Sequence, residues 1–219
     1  MNEIKKLLEK AELRNDLITH SLFEEIGTRP FSKRQVGTIL SQWFHPLHYF
    51  PTFLSRLISV TPTIDMKTVI SRILWQELGE GDPNKAHETV YIDTMRDAGF
   101  DSETVAKTTP LESTKKLISG YEDSSRSYLS GLGFLYGTEV ADLRMVSAIG
   151  DAVRQASQSE SLPWVDIHVK QEPDHVDSAN QTIGVSFTED EKREVFANAE
   201  AMWRLWIDFF SDIEEELKE

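Results

Sequence analysis

The chain has 219 residues, of which 39% are hydrophobic and 27% charged, a balance typical of a globular protein with a sizeable core. Its 23 basic and 37 acidic residues give a formal net charge of −14, which disfavours nucleic acids and membrane surfaces as partners. Cysteine is absent, which excludes disulfides, thiolate metal sites and cysteine nucleophiles. Any metal must therefore be held by histidine and carboxylate side chains.

Apolar residues recur at three- and four-residue spacing along almost the whole chain, which predicts helices with little β signal. Capping boxes that begin at Ser32 and Thr188 mark the starts of two long helices. In chain order, helices are predicted near 3–26, 33–59, 65–79, 83–98, 111–129, 131–157, 162–182 and 189–217. Pro46 and Pro51 should kink the second helix. The fold class is therefore an all-α bundle.

One segment carries three side chains that can bind metal, His168, Glu172 and His175. Their i, i+4 and i+7 spacing places them within about 60° of one another on a helix. Pro173 should kink this helix or start a new one after Glu172. For the segment alone, a solvated acidic helix face is an equally good interpretation.

Three further residues complete a candidate metal site. Glu80 ends one predicted helix, and His87 lies in the first turn of the next one. Glu139 stands in a run of small and apolar residues, where an unpaired carboxylate is costly to bury and calls for a cation. An ion pair with Arg126 or Arg144 is the alternative for Glu139.

These three imidazoles and three carboxylates could hold two divalent ions and leave positions open for dioxygen and substrate. Nitrogen and oxygen ligands suit iron or manganese and also accept zinc, so the donor types do not select the ion. A ferritin-like bundle would need two Glu-x-x-His pairs, and the pair formed by Glu172 and His175 is the only one. Glu77, one turn before Glu80, is a further carboxylate that could join the site, and so is Asp174.

The order of these residues resembles the heme-oxygenase-like di-iron oxidases, which are related in architecture to chlamydial CADD, PqqC and TenA-type proteins. The resemblance spans the chain and rests on Glu80-x6-His87, on Glu139 after Leu135-Tyr136-Gly137-Thr138, and on His168-x3-Glu172-x2-His175. It implies one heme-oxygenase-like domain over residues 1–219, with seven or eight helices. It also implies two Fe2+ ions with six ligands: Glu80, His87, Glu139, His168, Glu172 and His175. The family more often has aspartate at the position of Glu172.

The activity that this resemblance implies is that of a non-heme di-iron oxidoreductase with O2 as co-substrate. Members act on small molecules by carbon–carbon cleavage, desaturation, N-oxygenation or rearrangement to nitriles. We expect an amino acid or amino-acid derivative in specialised metabolism as substrate, with Arg126, Arg144, Lys115 and Lys116 as candidates to bind its carboxylate. An external electron donor, a homodimer and a cytoplasmic location are further expectations.

Two other functions remain open from the sequence. The first is a heme-binding or heme-degrading protein, with His20 as axial ligand and Gly133-x3-Gly137 as the helix face against the porphyrin. The second is a non-catalytic helical protein that binds a partner through an exposed apolar patch. A TenA-type thiaminase needs a cysteine nucleophile, which the chain lacks. His45 and His48 are interpreted as hydrogen-bonded or solvated residues.

Overall fold

The computed structural model describes residues 3–218, except for the side chain of Glu172. Every regular element in this range is helical, so the prediction of an all-α protein is confirmed. The α-helices are α1 Glu3–Glu9, α2 Glu12–Ile18, α3 Ser21–Thr28, α4 Lys33–Val60, α5 Ile64–Glu77, α6 His87–Asp97, α7 Ser102–Lys107, α8 Glu112–Ser124, α9 Tyr128–Ser157, α10 Pro163–Thr182 and α11 Glu189–Glu216. A short 3-10 helix, Pro83–Lys85, precedes α6.

The described residues contain more helices than the sequence predicts, for two local reasons. The predicted helix 3–26 is divided into α1, α2 and α3, because the backbone is extended at the N-cap residues Ala11 and His20. The short helix α7 was not predicted, although Asp101 is a strong N-cap whose carboxylate accepts a hydrogen bond from the Thr104 N–H group. Both differences concern short helices, and the long helices begin and end within a few residues of their predicted bounds.

Prolines do not end the long helices that contain them. Helix α4 continues through Pro46 and Pro51, and its capping box at Ser32 is formed as predicted. Helix α10 likewise continues through Pro173, so no new helix starts after Glu172. His168 and His175 therefore belong to one continuous helix, as the spacing argument requires.

Helix α9 is the central element of the bundle and packs against α2, α3, α4, α8, α10 and α11. Gly133 permits the close approach of α11, because a Cβ atom there would lie 2.5 Å from the carbonyl oxygen of Val195. One turn further, the indole N–H of Trp203 donates a hydrogen bond of 2.9 Å to the carbonyl of Gly137. The glycine face of α9 is therefore covered by another helix.

The helices that carry the candidate ligands lie next to one another. Helix α10 packs against α5, α6 and α9, so polar residues on all four elements can meet in the interior. Between residues 3 and 218, no helix has the length and apolar character needed to cross a membrane.

The contact between α9 and α11 predicts opposite effects for one substitution at two helical glycines. Gly133→Ala should lower the free energy of unfolding by about 1 to 3 kcal/mol, because the new methyl group meets backbone atoms of α11. Gly37→Ala should raise it by up to about 1 kcal/mol, because a Cβ there meets nothing within 4 Å and alanine favours helix. Urea denaturation measures both values. A Gly133→Ala variant as stable as the parent would contradict this packing.

Candidate metal centre

Three buried imidazoles form the centre of the candidate site. His87 is the first residue of α6, and His168 and His175 lie two turns apart on α10. Their exposed fractions are only 1%, 5% and 3%. The ring centroid of His87 lies 4.7 Å from that of His168 and 6.2 Å from that of His175. The structure thus brings together three histidines that are up to 88 residues apart in sequence (175 − 87 = 88).

Each imidazole faces one carboxylate. Glu77 is the last residue of α5, and Glu139 and Asp142 lie one turn apart on α9. The closest atom pairs are Glu77 Oε2 and His87 Nδ1 at 3.0 Å, Glu139 Oε2 and His175 Nδ1 at 3.4 Å, and Asp142 Oδ2 and His168 Nε2 at 4.0 Å. Glu77 and Glu139 are as deeply buried as the histidines. Four helices therefore supply the cluster.

Two of the pairs are ion pairs. Burial raises the pKa of Glu77, but attraction to His87 and the other two histidines outweighs it and lowers the pKa to about 2. Burial lowers the pKa of His87, yet the Glu77 carboxylate raises it above its ordinary value. For His175, burial is likewise outweighed by Glu139, and the pKa rises to about 9. Each buried charge thus has an opposite charge beside it.

The third pair is held differently. Burial, with repulsion from His87, lowers the pKa of His168 to about 3, so this imidazole is neutral. Its Nδ1–H group donates a hydrogen bond of 2.8 Å to the carbonyl of Trp164, which leaves the lone pair on Nε2. Burial and repulsion from Glu139 raise the pKa of Asp142 to about 7. This carboxyl group can therefore take up or release a proton near neutral pH.

Sequence reasoning missed two residues of this cluster. Asp142 stands three residues after Glu139, and Gln171 stands three residues after His168, so helical spacing from the predicted ligands could have found both. Gln171 Oε1 lies 2.9 Å from His87 Nε2 and accepts its hydrogen bond. A polar partner of this kind fixes the orientation and tautomer of a ligating imidazole.

A small cavity of about 30 Å³ adjoins the cluster, with room for about two water molecules. Glu77, Glu139, Asp142, His168 and His175 all line it. The rest of the wall is mostly apolar and is made by Trp43, Pro46, Leu47, Phe50, Tyr121, Thr138 and Trp206. Because the wall is largely aromatic, bulk water has little access to the cluster.

Glu80 lies outside this cluster, although it is the carboxylate that the sequence pattern favoured. Helix α5 ends at Glu77, and the chain then turns through Gly79, Glu80 and Gly81, whose φ angles of 76°, 56° and 91° are all left-handed. This turn leaves the side chain of Glu80 exposed. Glu77, one helical turn earlier, lies beside His87 instead. Asp174 is also exposed, and the predicted ligand Glu172 lies outside the described side chains.

The donor chemistry of the cluster fits a divalent metal. Over the described range, no three histidine, aspartate or glutamate side chains stand together as a formed metal-binding group. Two buried atoms of the cluster, His175 Nε2 and Glu139 Oε1, nevertheless have no hydrogen-bond partner among the described residues. Buried polar atoms of this kind are costly to leave unpaired. A divalent cation would displace the imidazole protons, bind the freed nitrogen lone pairs and neutralise the carboxylates.

The structure also assigns other partners to the residues of the alternative interpretations. His20 uses both ring nitrogens: Nδ1 accepts from the Leu22 N–H group, and Nε2 lies 3.1 Å from Ser211 Oγ. The Gly133-x3-Gly137 face packs on α11, so neither feature offers a heme site. His45 forms a hydrogen bond with the Thr108 carbonyl, and His48 forms one with Glu88. Arg126 pairs with Asp123 and Arg144 donates to the Ile18 carbonyl, so neither neutralises Glu139.

Comparison with known proteins identifies the sequence family and the fold. A family model described as "Iron-containing redox enzyme" matches residues 38–207. No curated protein has a significant match to the sequence.

Solved structures with similar folds share little sequence with this chain. A domain of unknown function with a heme oxygenase-like fold from Shewanella denitrificans OS217 has a TM-score of 0.82 and 18% identity, over 100% of this chain and 94% of that one. A CADD-like protein of unknown function from Nostoc punctiforme PCC 73102 has a TM-score of 0.78 and 16% identity, over 96% and 97%. A TenA homologue from Pyrococcus furiosus has a TM-score of 0.74 and 13% identity, over 96% and 98%. The predicted heme-oxygenase-like architecture is thus confirmed.

The burial of His20 predicts part of the pH dependence of stability. Burial lowers the pKa of this imidazole, and the charge of Glu214 offsets the effect only in part. The unfolded chain therefore binds a proton at higher pH than the folded chain, and the stability contributed by neutral His20 is lost as the pH falls below about 6.5. His20→Asn keeps an acceptor at the N-cap and should reduce the loss of unfolding free energy between about pH 7 and 5. Urea denaturation at each pH tests this, and a loss equal to that of the parent would contradict it.

The two neighbouring glutamates provide a test of the ligand assignment. Glu77→Gln should weaken binding of Fe2+ or Mn2+ by at least about 100-fold, because it removes a buried carboxylate from the cluster. Glu80→Gln is the matched control and should bind the metal like the parent, because its side chain is exposed. Anaerobic isothermal titration calorimetry measures both affinities. The opposite pattern would place Glu80, and not Glu77, at the metal.

Proposed function

We propose that this chain is a non-heme di-iron enzyme that uses O2 to oxidise a small molecule. The chain belongs to the heme-oxygenase-like family of iron-containing redox enzymes. An amino acid or amino-acid derivative in specialised metabolism is the proposed substrate. One observation carries the proposal: three buried imidazoles each face a carboxylate in the interior of the bundle, beside a small cavity. The TenA homologue shares the fold, so the fold by itself does not distinguish an oxidase, whereas this cluster supports one.

The residues that would hold iron come from α5, α6, α9 and α10. His87, His168 and His175 are the proposed nitrogen ligands, and Glu77 and Glu139 are the proposed carboxylate ligands. Glu77 takes the role that the sequence pattern gave to Glu80, because only Glu77 is buried beside His87. Asp142 and the predicted ligand Glu172 are further candidates, one on each of two neighbouring helices. This set matches the preference of iron for mixed imidazole and carboxylate sites.

Iron bound at this cluster would supply the redox chemistry that protein side chains lack. The chain itself positions the ligands: the Trp164 carbonyl orients His168, and Gln171 orients His87. Trp43, Phe50 and Trp206 line the cavity with apolar surface, which limits the access of bulk water to the cluster. Asp142 can hold or release a proton near neutral pH at the edge of the same cavity.

Anaerobic iron loading tests the proposal. Metal-free protein should bind about two Fe2+ ions per chain and should then consume O2 when it is admitted. His175→Ala should bind less than half of this iron, because it removes a buried nitrogen donor from the cluster. His48→Ala should bind iron like the parent, since His48 is exposed and pairs with Glu88 at the surface. Metal analysis after gel filtration and an oxygen electrode give the two readouts.

Several results would contradict the proposal. Equal iron binding by both histidine variants would mean that the metal lies elsewhere. One tightly bound ion per chain would contradict a di-iron centre. If the protein binds hemin stoichiometrically, seen as a Soret band on titration, and binds it in preference to iron, the heme-binding alternative is favoured.

A further inference from the structure

A second cavity lies directly beside the candidate metal centre. It has a volume of about 300 Å³ and is bounded by α1, α2, α9 and α10; it is called the outer pocket below. Glu139 lines both the outer pocket and the inner cavity, so the two spaces adjoin at a residue of the cluster. The inner cavity has room for only about two water molecules. An amino acid does not fit there, whereas the outer pocket reaches the size range of small-molecule sites.

The outer pocket contains an unpaired arginine. Arg14 lines it and is only partly exposed, and among the described residues its guanidinium group makes no hydrogen bond or ion pair. Most other arginines of the chain have an acidic partner, as in the pairs Arg29 with Glu25 and Arg56 with Glu122. A guanidinium group binds a carboxylate through two parallel hydrogen bonds, which makes Arg14 a ready partner for a carboxylic acid.

The same pocket contains an unsatisfied acceptor. The Asn180 side chain lines it from α10, and its Oδ1 atom is buried without a hydrogen-bond partner in the described part of the chain. Buried carbonyl oxygens are rarely left unpaired, because this raises the free energy of the folded state. A ligand that donates a hydrogen bond to Oδ1 would remove this penalty. An ammonium group is such a donor, and it would also be attracted to the acidic side chains of the pocket.

The charges of the outer pocket are balanced, although the chain as a whole carries −14. Lys5 and Arg14 contribute positive charge, and Glu9 and Glu139 contribute negative charge. Lys5 and Glu9 are only loosely paired, with 3.8 Å between Nζ and Oε1. A pocket with both signs suits a zwitterion better than a simple anion or cation.

Besides Tyr136, the remaining surface of the outer pocket is made up of aliphatic side chains. Val140 and Leu143 line it from α9, and Val176 lines it from α10. Leu143 is 39% exposed and stands where a bound molecule would cover it. A ligand with an aliphatic chain gains from burying these groups.

We propose that the outer pocket binds an α-amino acid with an apolar side chain, with its carboxylate on Arg14 and its ammonium group at Asn180. That the bound amino acid is the substrate rests on the proposed function, whereas the existence of the binding site does not. The sequence pointed to Arg126, Arg144, Lys115 and Lys116 for the carboxylate, but none of these lines the outer pocket. Arg14 was missed because nothing in its sequence neighbourhood marks it, and only the packing of α2 beside α9 brings it to the site.

Isothermal titration calorimetry on the metal-free full chain tests the proposal. L-norleucine is the probe, and hexanoate and pentylamine each lack one of its two charged groups. Norleucine should bind at least about tenfold more tightly than either, because each charged hydrogen bond contributes that much. Equal affinity for hexanoate would indicate a simple anion site and overturn the assignment, and so would a lack of norleucine binding.

Three variants locate the bound amino acid. Arg14→Gln should weaken norleucine binding at least about tenfold. Arg34→Gln should leave it unchanged, because Arg34 is also an arginine without an acidic partner among the described residues but lines a different cavity, of about 530 Å³. Asn180→Leu should weaken binding of norleucine and not of hexanoate. Loss of binding in Arg34→Gln with retention in Arg14→Gln would overturn the proposal.

Iron content separates this inference from the proposed function. Arg14→Gln should keep the thermal unfolding midpoint and the iron stoichiometry of the parent, which shows that the variant is folded. If Arg14→Gln has lost its folded structure, Arg14→Lys takes its place and should weaken norleucine binding, because it keeps the charge and loses the paired hydrogen bonds. Norleucine binding in a chain that binds no iron would overturn the proposed function alone. Iron binding without norleucine binding would overturn the outer pocket alone.

Discussion

The burial of charged imidazoles beside charged carboxylates is the constraint on which the centre of this protein depends. Removing an ion from water costs several kcal/mol even after relaxation, so a buried charge persists only beside an opposite charge. Glu77 and His87, and Glu139 and His175, meet this requirement at 3.0 and 3.4 Å. Because the partners come from different helices, the pairs join α5 to α6 and α9 to α10, and the hydrogen bond between His87 and Gln171 joins α6 to α10.

Because of this constraint, the long helices contribute more than the short ones to the position of the ligand cluster. Helix α9 carries two of the carboxylates on one face and Gly133 and Gly137 on another, where α11 packs closely. Helix α10 carries two of the imidazoles and continues through Pro173 without a break. The aromatic side chains of α4 and α11 close the cavity beside them. The ligand cluster is thus positioned by packing between long, continuous helices, which suits a site that must keep several donors in place.

The sequence predicts much of this arrangement because helical spacing is local. The i and i+7 positions of His168 and His175, the capping boxes at Ser32 and Thr188, and the all-α class all follow from short-range patterns. The choice between Glu77 and Glu80 does not, because it depends on where α5 ends and on three successive left-handed residues in the following turn. Spacing alone allowed both residues.

Contacts between distant segments explain the other residues that the sequence could not identify. Gln171 becomes relevant only because it meets His87, which is 84 residues away, and Arg14 becomes relevant only because α2 packs on α9. Asp142 was within reach of a spacing argument from Glu139, but an aspartate three residues from a candidate ligand is common on any acidic helix. Long-range packing, and not the local pattern, therefore selects the members of the cluster.

Whether the buried cluster of histidines and carboxylates binds iron can be tested by anomalous X-ray scattering, with crystals of the protein loaded with Fe2+ in the absence of oxygen. Diffraction recorded above and below the iron absorption edge locates iron atoms without reference to activity. We expect two iron peaks per chain, both within ligand distance of the cluster formed by Glu77, His87, Glu139, His168 and His175. Iron peaks confined to the protein surface, or a cluster that stays without iron at saturating Fe2+, would contradict it.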